Sequence, residues 1–176
     1  MKKMIFLLLL IAGSVSALEI KSAAVKFTAF KTYAKKGVSG VFDHVSLTTN
    51  KGNDIVTVLK NTTAVIDTSS VNSGNRGRDA KLVSKFFEVQ GVKAIDAKII
   101  NVKKDTLLVA ISMNDKTLNI PMSYSAQNNS VIAKGTIDLA DFAMLPSLKS
   151  INKACYTLHQ GKTWQDVVIY LTVQYK

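Results

Sequence analysis

The sequence predicts a single mainly β domain of hairpin-linked antiparallel strands, closed as a barrel or stacked as a sandwich, with one or two short helices. Three features predict it. Apolar and polar residues alternate with a period of two in four separate segments. Polar turn clusters divide several of the strand-like stretches. The chain is 176 residues long and 47 % apolar, enough to close one core and too apolar for an intrinsically disordered chain.

From the N-terminus, Lys2 and Lys3 precede an uninterrupted apolar run, Met4 to Ala12, and a small-residue stretch in which Val15 and Ala17 hold the −3 and −1 positions of a cleavage site. This is the layout of a secretory signal peptide. The run is shorter than the roughly 20 residues a spanning helix requires. No Cys follows it, so lipid attachment is not indicated. Cleavage after Ala17 leaves one domain, residues 18–176, expected in a bacterial periplasm.

In that domain Ala23, Val25, Phe27 and Ala29 alternate with Ala24, Lys26 and Thr28. Leu118, Ile120, Met122 and Tyr124 form a second one-faced strand. Val131, Ala133, Gly135, Ile137 and Leu139 form a third, and Val167, Ile169, Leu171 and Val173 a fourth. Further strands are expected over Val41 to Leu47, Thr63 to Asp67, Ala94 to Val102 and Thr106 to Met113. The last is apolar on both faces, which points to a covered outer face and to a homodimer. Leu148, Ile151, Cys155 and Leu158 fall on one face of a helix over Ser147 to His159, with Ser147 as its N-cap and Gly161 as its stop. A second helix is expected from Asp79 to Phe87, carrying Leu82, Val83, Phe86 and Phe87, and a third over Asp54 to Lys60.

Composition removes several function classes. One Cys excludes an internal disulfide, and two distant histidines, His44 and His159, give no metal-ligand spacing. Cys155 reads as a small buried hydrophobe that neither histidine reaches, and His44 as a surface residue on a strand. Gly74 to Asp79 lacks the GK[ST] ending of a phosphate loop. There Asp79 is expected to cap a helix while Arg78 pairs with a carboxylate or a carbonyl. Asp138 and Asp141 have no facing acidic pair. With 23 Lys plus Arg against 12 Asp plus Glu the chain carries +11. Its basic residues are scattered singly without an aromatic stripe, which excludes nucleic acid and allows a weak attraction to anionic membrane headgroups. No cofactor or metal is expected.

Thr63 to Val71 (TAVIDTSSV), Ser73-Gly74-Asn75, Arg78 to Leu82 (RDAKL) and Phe86-Phe87 together resemble the first signature of the YceI-like family. Ala133 to Phe142 (AKGTIDLADF) is similar to its second, Leu118 to Pro121 fits the strand between, and Thr163 to Val167 resembles the start of its final strand. The resemblance implies an extended, lipocalin-like antiparallel barrel holding a polyisoprenoid or similar long-chain amphiphile. Many members carry a His-Ser pair in the first strand and a His entering the second. Here those regions read Lys21-Ser22-Ala23-Ala24 and Phe30 to Lys36.

The expected apolar lining takes Val25 and Phe27 from the first strand, Phe42 and Ile66 from the next two, and Ile99, Val109 and Ile111 from the pair after them. Leu118, Ile120 and Met122 follow, then Ile137 and Phe142, then Ile169 and Leu171 with Trp164 at the start of the last strand. Phe86, Phe87, Leu148 and Ile151 join it from the helices. Such a lining desolvates an alkyl chain without doing chemistry on it. Lys31, Lys35 and Lys36, beside a strand end, are the candidate head-group contacts. The leading expectation is thus a non-enzymatic periplasmic carrier of an isoprenoid or fatty amphiphile. The alternative is an exported stress or interaction protein with a solid core, acting through its surface or as a dimer.

Overall fold

The computed structural model describes residues 17–176. The expected signal segment lies outside these residues, apart from Ala17. The strands are β1 (Ile20–Lys31), β2 (Lys36–Phe42), β3 (Val45–Thr48), β4 (Thr63–Asp67), β5 (Val71–Asn72), β6 (Ala94–Val102), β7 (Thr106–Met113), β8 (Lys116–Gln127), β9 (Ser130–Asp138) and β10 (Thr163–Tyr175). They form one antiparallel sheet in the order β3-β4-β6-β7-β8-β9-β10-β1-β2-β5.

Alternation decides which face turns inward. Burial alternates residue by residue along β7 and β9, placing Leu107, Val109, Ile111 and Met113, then Val131, Ala133, Gly135 and Ile137, inside. The outer residues of β7 (Thr106, Leu108, Ala110 and Ser112) are half-buried within a single copy of the chain. The β7–β8 and β8–β9 hairpins turn on Asn114-Asp115 and Asn128-Asn129. All four residues have φ between 51° and 58°, as two-residue primed turns require.

The strand expected over Val41 to Leu47 is two strands, and the correction explains how the sheet closes. β2 ends at Phe42 and pairs with β1 and β5, whereas β3 starts at Val45 and pairs with β4. These are opposite edges of the sheet, so Asp43-His44 carries the chain across the seam between them. The 3₁₀ turn Thr68–Ser70 crosses the same seam from β4 to β5. The two crossings are stitched to each other: Asp43 N donates to Ser70 O at 3.0 Å and His44 N to Ser70 Oγ at 3.0 Å. Asp67 N donates to His44 O at 3.1 Å. His44 is therefore a surface residue, as expected, but it lies at this corner and not within a strand.

Four short helices follow from local signals. Helix α1 (Ile55–Leu59) is capped by Asp54, whose carboxylate accepts from Thr57 N and Oγ1 at 2.8 Å each. Helix α2 (Arg76–Leu82) begins three residues before the expected start. Asn75 is its cap, accepting from Arg78 N at 2.9 Å. Asp79 instead sits inside the first turn and accepts from Ser73 N at 2.8 Å. Arg78 donates to Ser73 O at 2.8 Å, the carbonyl contact expected of it. A π turn, Val83–Phe87, then turns Phe86 and Phe87 inward.

The Ser147–His159 helix is two: α3 (Leu145–Ala154) and α4 (Tyr156–His159), broken at Cys155 where φ is −122°. Ser147 is not its cap. Pro146 occupies the first turn and Ser147 is wholly buried, its hydroxyl donating to Gln90 Oε1 at 2.9 Å. Because α3 and α4 connect β9 to β10, and the α2 segment connects β5 to β6, these helices cover one end of the curled sheet; α1, between β3 and β4, sits at the other.

Two glycines permit close approach on the inner face. A Cβ at Gly40 would lie 2.6 Å from Phe27 Cζ, and one at Gly135 would lie 2.8 Å from Met122 Cγ. Both neighbours come from the adjacent strand, so larger residues push them off their rotamers. Gly135→Ala is expected to lower unfolding stability by about 1–3 kcal/mol in urea titration. A change below the error of the titration would show that Met122 has slack.

Candidate functional site

The inner face and the helices do not fill the space they enclose. An elongated cavity of about 500 Å³ remains, bordered by Ile20, Leu47 and Val173 towards one end of the strands and by Trp164, His159 and Lys31 towards the other. Four phenylalanines wall one side: Phe27 and Phe42 at 5.6 Å between ring centroids, Phe42 and Phe87 at 6.2 Å, Phe86 and Phe87 at 5.0 Å. Among the described residues no buried side-chain polar atom lacks a partner. The middle of the cavity therefore offers a ligand dispersion and desolvation without directional bonds.

The structure brings sixteen of the expected apolar residues to this cavity: Val25, Phe27, Phe42, Ile66, Phe86, Phe87, Ile99, Val109, Ile111, Met122, Ile137, Leu148, Ile151, Trp164, Ile169 and Leu171. Leu118, Ile120 and Phe142 stand outside it. Leu118 and Ile120 do lie on the inner face, but they pack into the core, and Ile120 leans over the missing side chain of Gly135. Phe142 is wholly buried in the turn between β9 and α3, where it fills the core.

Of the three lysines, only Lys31 lines the cavity. The β1–β2 turn, with Thr32 and Lys35 at φ 61° and 53°, carries the other two away. Lys35 pairs with Asp166 at 2.8 Å and lies 5.0 Å from the Trp164 ring centre. Lys36 is exposed at the start of β2. Sequence reasoning missed Ile95 and Ala97, which share the parity of Ile99, and Leu82, Cys155 and Leu158, which lay on helical stripes but were not assigned to the lining. It also missed Lys81, which lies in the RDAKL stretch but was given no role, and His159, for which no motif gave a signal.

These last two make one end of the cavity basic. His159 Nδ1 lies 2.7 Å from Thr163 Oγ1, and that hydroxyl donates to Asn152 Oδ1 at 2.8 Å. Asn152 Nδ2 in turn donates to Gly161 O at 3.1 Å. The hydroxyl's one proton is committed to Asn152, so Nδ1 must donate and Nε2 is the ring's basic nitrogen. Burial, and then the charges of Lys31 and Lys81, hold the imidazole below its ordinary pKa. Cys155, buried as expected, and His159 both line this cavity, one turn apart along the backbone. Among the described residues no three His, Cys, Asp or Glu side chains stand together as metal ligands, and no helix is long and apolar enough to cross a membrane.

The YceI-like domain model matches residues 17–175. This chain belongs to the YceI-like family. A sequence search of curated proteins returns no match. Among solved structures, a polyisoprenoid-binding domain from Saccharophagus degradans, implicated in plant cell wall breakdown, superposes with a TM-score of 0.64 at 12 % identity, over 91 % of this chain and 97 % of that one. Burkholderia cenocepacia BcnA gives 0.61 at 11 % identity, over 88 % and 96 %. A mutant Campylobacter jejuni YceI protein gives 0.51 at 16 %, over 74 % and 80 %. At these identities the likeness is one of fold, that of a curled antiparallel sheet with short helices. The YceI-like fold thus has its inner face hollow in this chain.

The depressed pKa of His159 makes stability depend on pH with a defined sign. The unfolded ring takes up a proton near its ordinary value of about 6.5, before the folded ring does, so stability falls as pH drops through that range. Between pH 7.5 and 5.5 the melting temperature of His159→Gln is expected to fall less than that of the parent chain. An equal fall in both would remove the burial and lysine effects from the account.

Proposed function

We propose that this protein is an exported, non-enzymatic carrier that holds the tail of one long-chain amphiphile, isoprenoid or fatty, inside the curled sheet. The observation that supports this most is the shape and chemistry of the cavity. It runs along the strands, its walls are almost entirely apolar, and its lining turns basic at the end that carries Lys31, Lys81 and His159. If a methylene takes about the volume of a water molecule, ~30 Å³, the cavity accommodates on the order of 16 of them. The Saccharophagus domain of the same fold is described as polyisoprenoid-binding, and a single slender tail of either kind suits this space.

Burial of about 16 methylenes is worth a gross ~13 kcal/mol relative to water, at about 0.8 kcal/mol each. Relative to a bilayer the tail gains almost nothing, because lipid is as apolar as the cavity. Occupancy then turns on head-group contacts and tail length, which suits a molecule that hands its ligand on. The N-terminal run of residues 1–17 supports export, and a periplasm is the compartment we propose. Scattered surface lysines give a weak attraction to anionic lipid surfaces from which such a ligand comes. A solid core, which the alternative role requires, is hard to reconcile with the open space between the sheet and α3.

Mass spectrometry of an organic extract from folded protein, purified from its native host, is expected to show a long-chain amphiphile. Ala97→Phe, which fills part of the cavity, is expected to fold and to carry much less of it. Protein that is repeatedly empty and takes up no lipid from vesicles would overturn the proposal.

A further inference from the structure

The cavity is one-sided in charge. Lys31, Arg78, Lys81, Lys98 and His159 all border it, and no Asp or Glu does. Arg78 is engaged with Ser73, at 2.7 Å from Nε to Oγ and 2.8 Å from Nη2 to the carbonyl, so it is a structural residue first. Lys31 and Lys81 make no ion pair among the described residues. All three line the cavity at its helix-covered end, where β1 ends at Lys31, α2 at Leu82 and α4 at His159, and the charges of both lysines act on His159.

The groups packed about His159 can be named element by element. β1 contributes Lys31, α2 contributes Lys81, α3 contributes the neutral Asn152, and β10 contributes Thr163. Lys162, on the connecting turn, lies over the Trp164 ring at 4.5 Å. Carboxylates on these elements are committed elsewhere, Asp79 to Ser73 and Asp166 to Lys35. The mouth thus gathers positive charge beside apolar walls with nothing of opposite sign to balance it.

We infer that Lys31, Lys81 and His159 form a receptor for the anionic head group of a long-chain amphiphile, a carboxylate or a phosphate monoester, and that protonation of His159 tightens it. This rests on the cavity being the tail site. An anion at the mouth offsets the repulsion between Lys31 and Lys81 and accepts charge-assisted hydrogen bonds from both. Nδ1 is fixed as a donor to Thr163, which leaves Nε2 as the atom that changes role. Unprotonated, it repels an anionic oxygen; protonated, it donates to one. Linkage is reciprocal, so a bound anion raises the proton affinity of the ring by the factor that the proton raises anion affinity. Release is favoured at neutral pH and capture at mildly acid pH.

The test is displacement of the neutral fluorophore N-phenyl-1-naphthylamine by hexadecanesulfonate, whose charge is constant with pH, and by hexadecanol, which has a tail of the same length. At pH 6 the sulfonate is expected to bind roughly tenfold more tightly than the alcohol, the worth of one or two charge-assisted hydrogen bonds. That ratio is expected to shrink several-fold by pH 8 in the parent and to stay flat in His159→Gln. Lys31→Met and Lys81→Met are each expected to reduce the ratio, and melting curves like the parent's report that they fold. Comparing palmitate with farnesyl phosphate at pH 8, each against its own alcohol, shows which head group the mouth takes. Equal affinity for sulfonate and alcohol, or a preference that survives both lysine substitutions, overturns the head-group site and leaves the tail cavity standing. Binding of neither overturns both.

Discussion

A sheet that is apolar on one face has to bury that face, and this chain has almost nothing but the sheet with which to do it. The helices are short, the longest being the ten residues of α3, and all but α1 cluster at one end. The remaining solution is for the sheet to curl until its inner face covers itself. Curling brings the two edge regions, β3-β4 and β2-β5, towards each other without a hydrogen-bonded ladder between them. What holds the seam is the chain that crosses it, together with a bridge at the far end, where Leu18 and Gly52 exchange backbone hydrogen bonds at 2.7 and 3.1 Å and Lys51 pairs with Glu19 at 3.0 Å. The chain crosses it at Asp43-His44 and again at Thr68–Ser70, and the crossings bond to each other through Ser70 and Asp67. Asp67 also accepts from Ser69 N and Oγ at 2.8 and 2.7 Å, and these bonds hold its carboxyl below the ordinary value. The corner is small and polar, and it closes one end of the seam.

Enclosure without filling is the consequence. A curled sheet of this width has a circumference set by strand number, and the volume inside grows faster than the side chains on one face can occupy. Where the strands do pack tightly, a glycine makes room: Phe27 lies over Gly40, and Met122 and Ile120 over Gly135. Elsewhere the inner side chains stop short of one another. The resulting space is apolar because the alternation that folds the strands also sorts their residues, so the pattern that makes the sheet makes the cavity wall. Folding and binding draw on the same set of residues here, and most of the lining belongs to the core.

The basic mouth arises differently. Lys31 ends a strand, Lys81 lies in the last turn of a helix, and His159 closes a one-turn helix that follows the break of α3 at Cys155. None needs its charge for folding. Lys31 and His159 are partly removed from water, Lys81 is exposed beside the same cavity, and no Asp or Glu lines it with them. The tail region is indifferent between a membrane and this cavity. Under the proposed function a charged end gives such an exchange a direction, and the titration of one ring lets that direction change with pH.

Much of the fold was legible in the residues. The strands over Thr63–Asp67, Ala94–Val102 and Thr106–Met113 stand where alternation and turn chemistry place them, because side-chain period and local turn preference are properties of neighbouring residues. The inward faces of β1, β8, β9 and β10 follow in the same way, and with them most of the cavity wall. The break at Asp43-His44 was hidden, since the chain there stays extended and changes partners, and a partner is a matter of tertiary structure. Ser147 looked like a cap because its burial against Gln90, 57 positions away, leaves no local trace. Lys35 and Lys36 looked as apt as Lys31 until the positive-φ turn sent them outward. Lys81 and His159 could not have been joined by any reading along the chain, because their nearness is created when the helices close one end of the sheet. Periodicity along the chain therefore determined the strands and the greasy wall, whereas the emptiness inside and the convergence of two lysines and one imidazole at one end of it were decided only by how far the sheet curls and where the helices land.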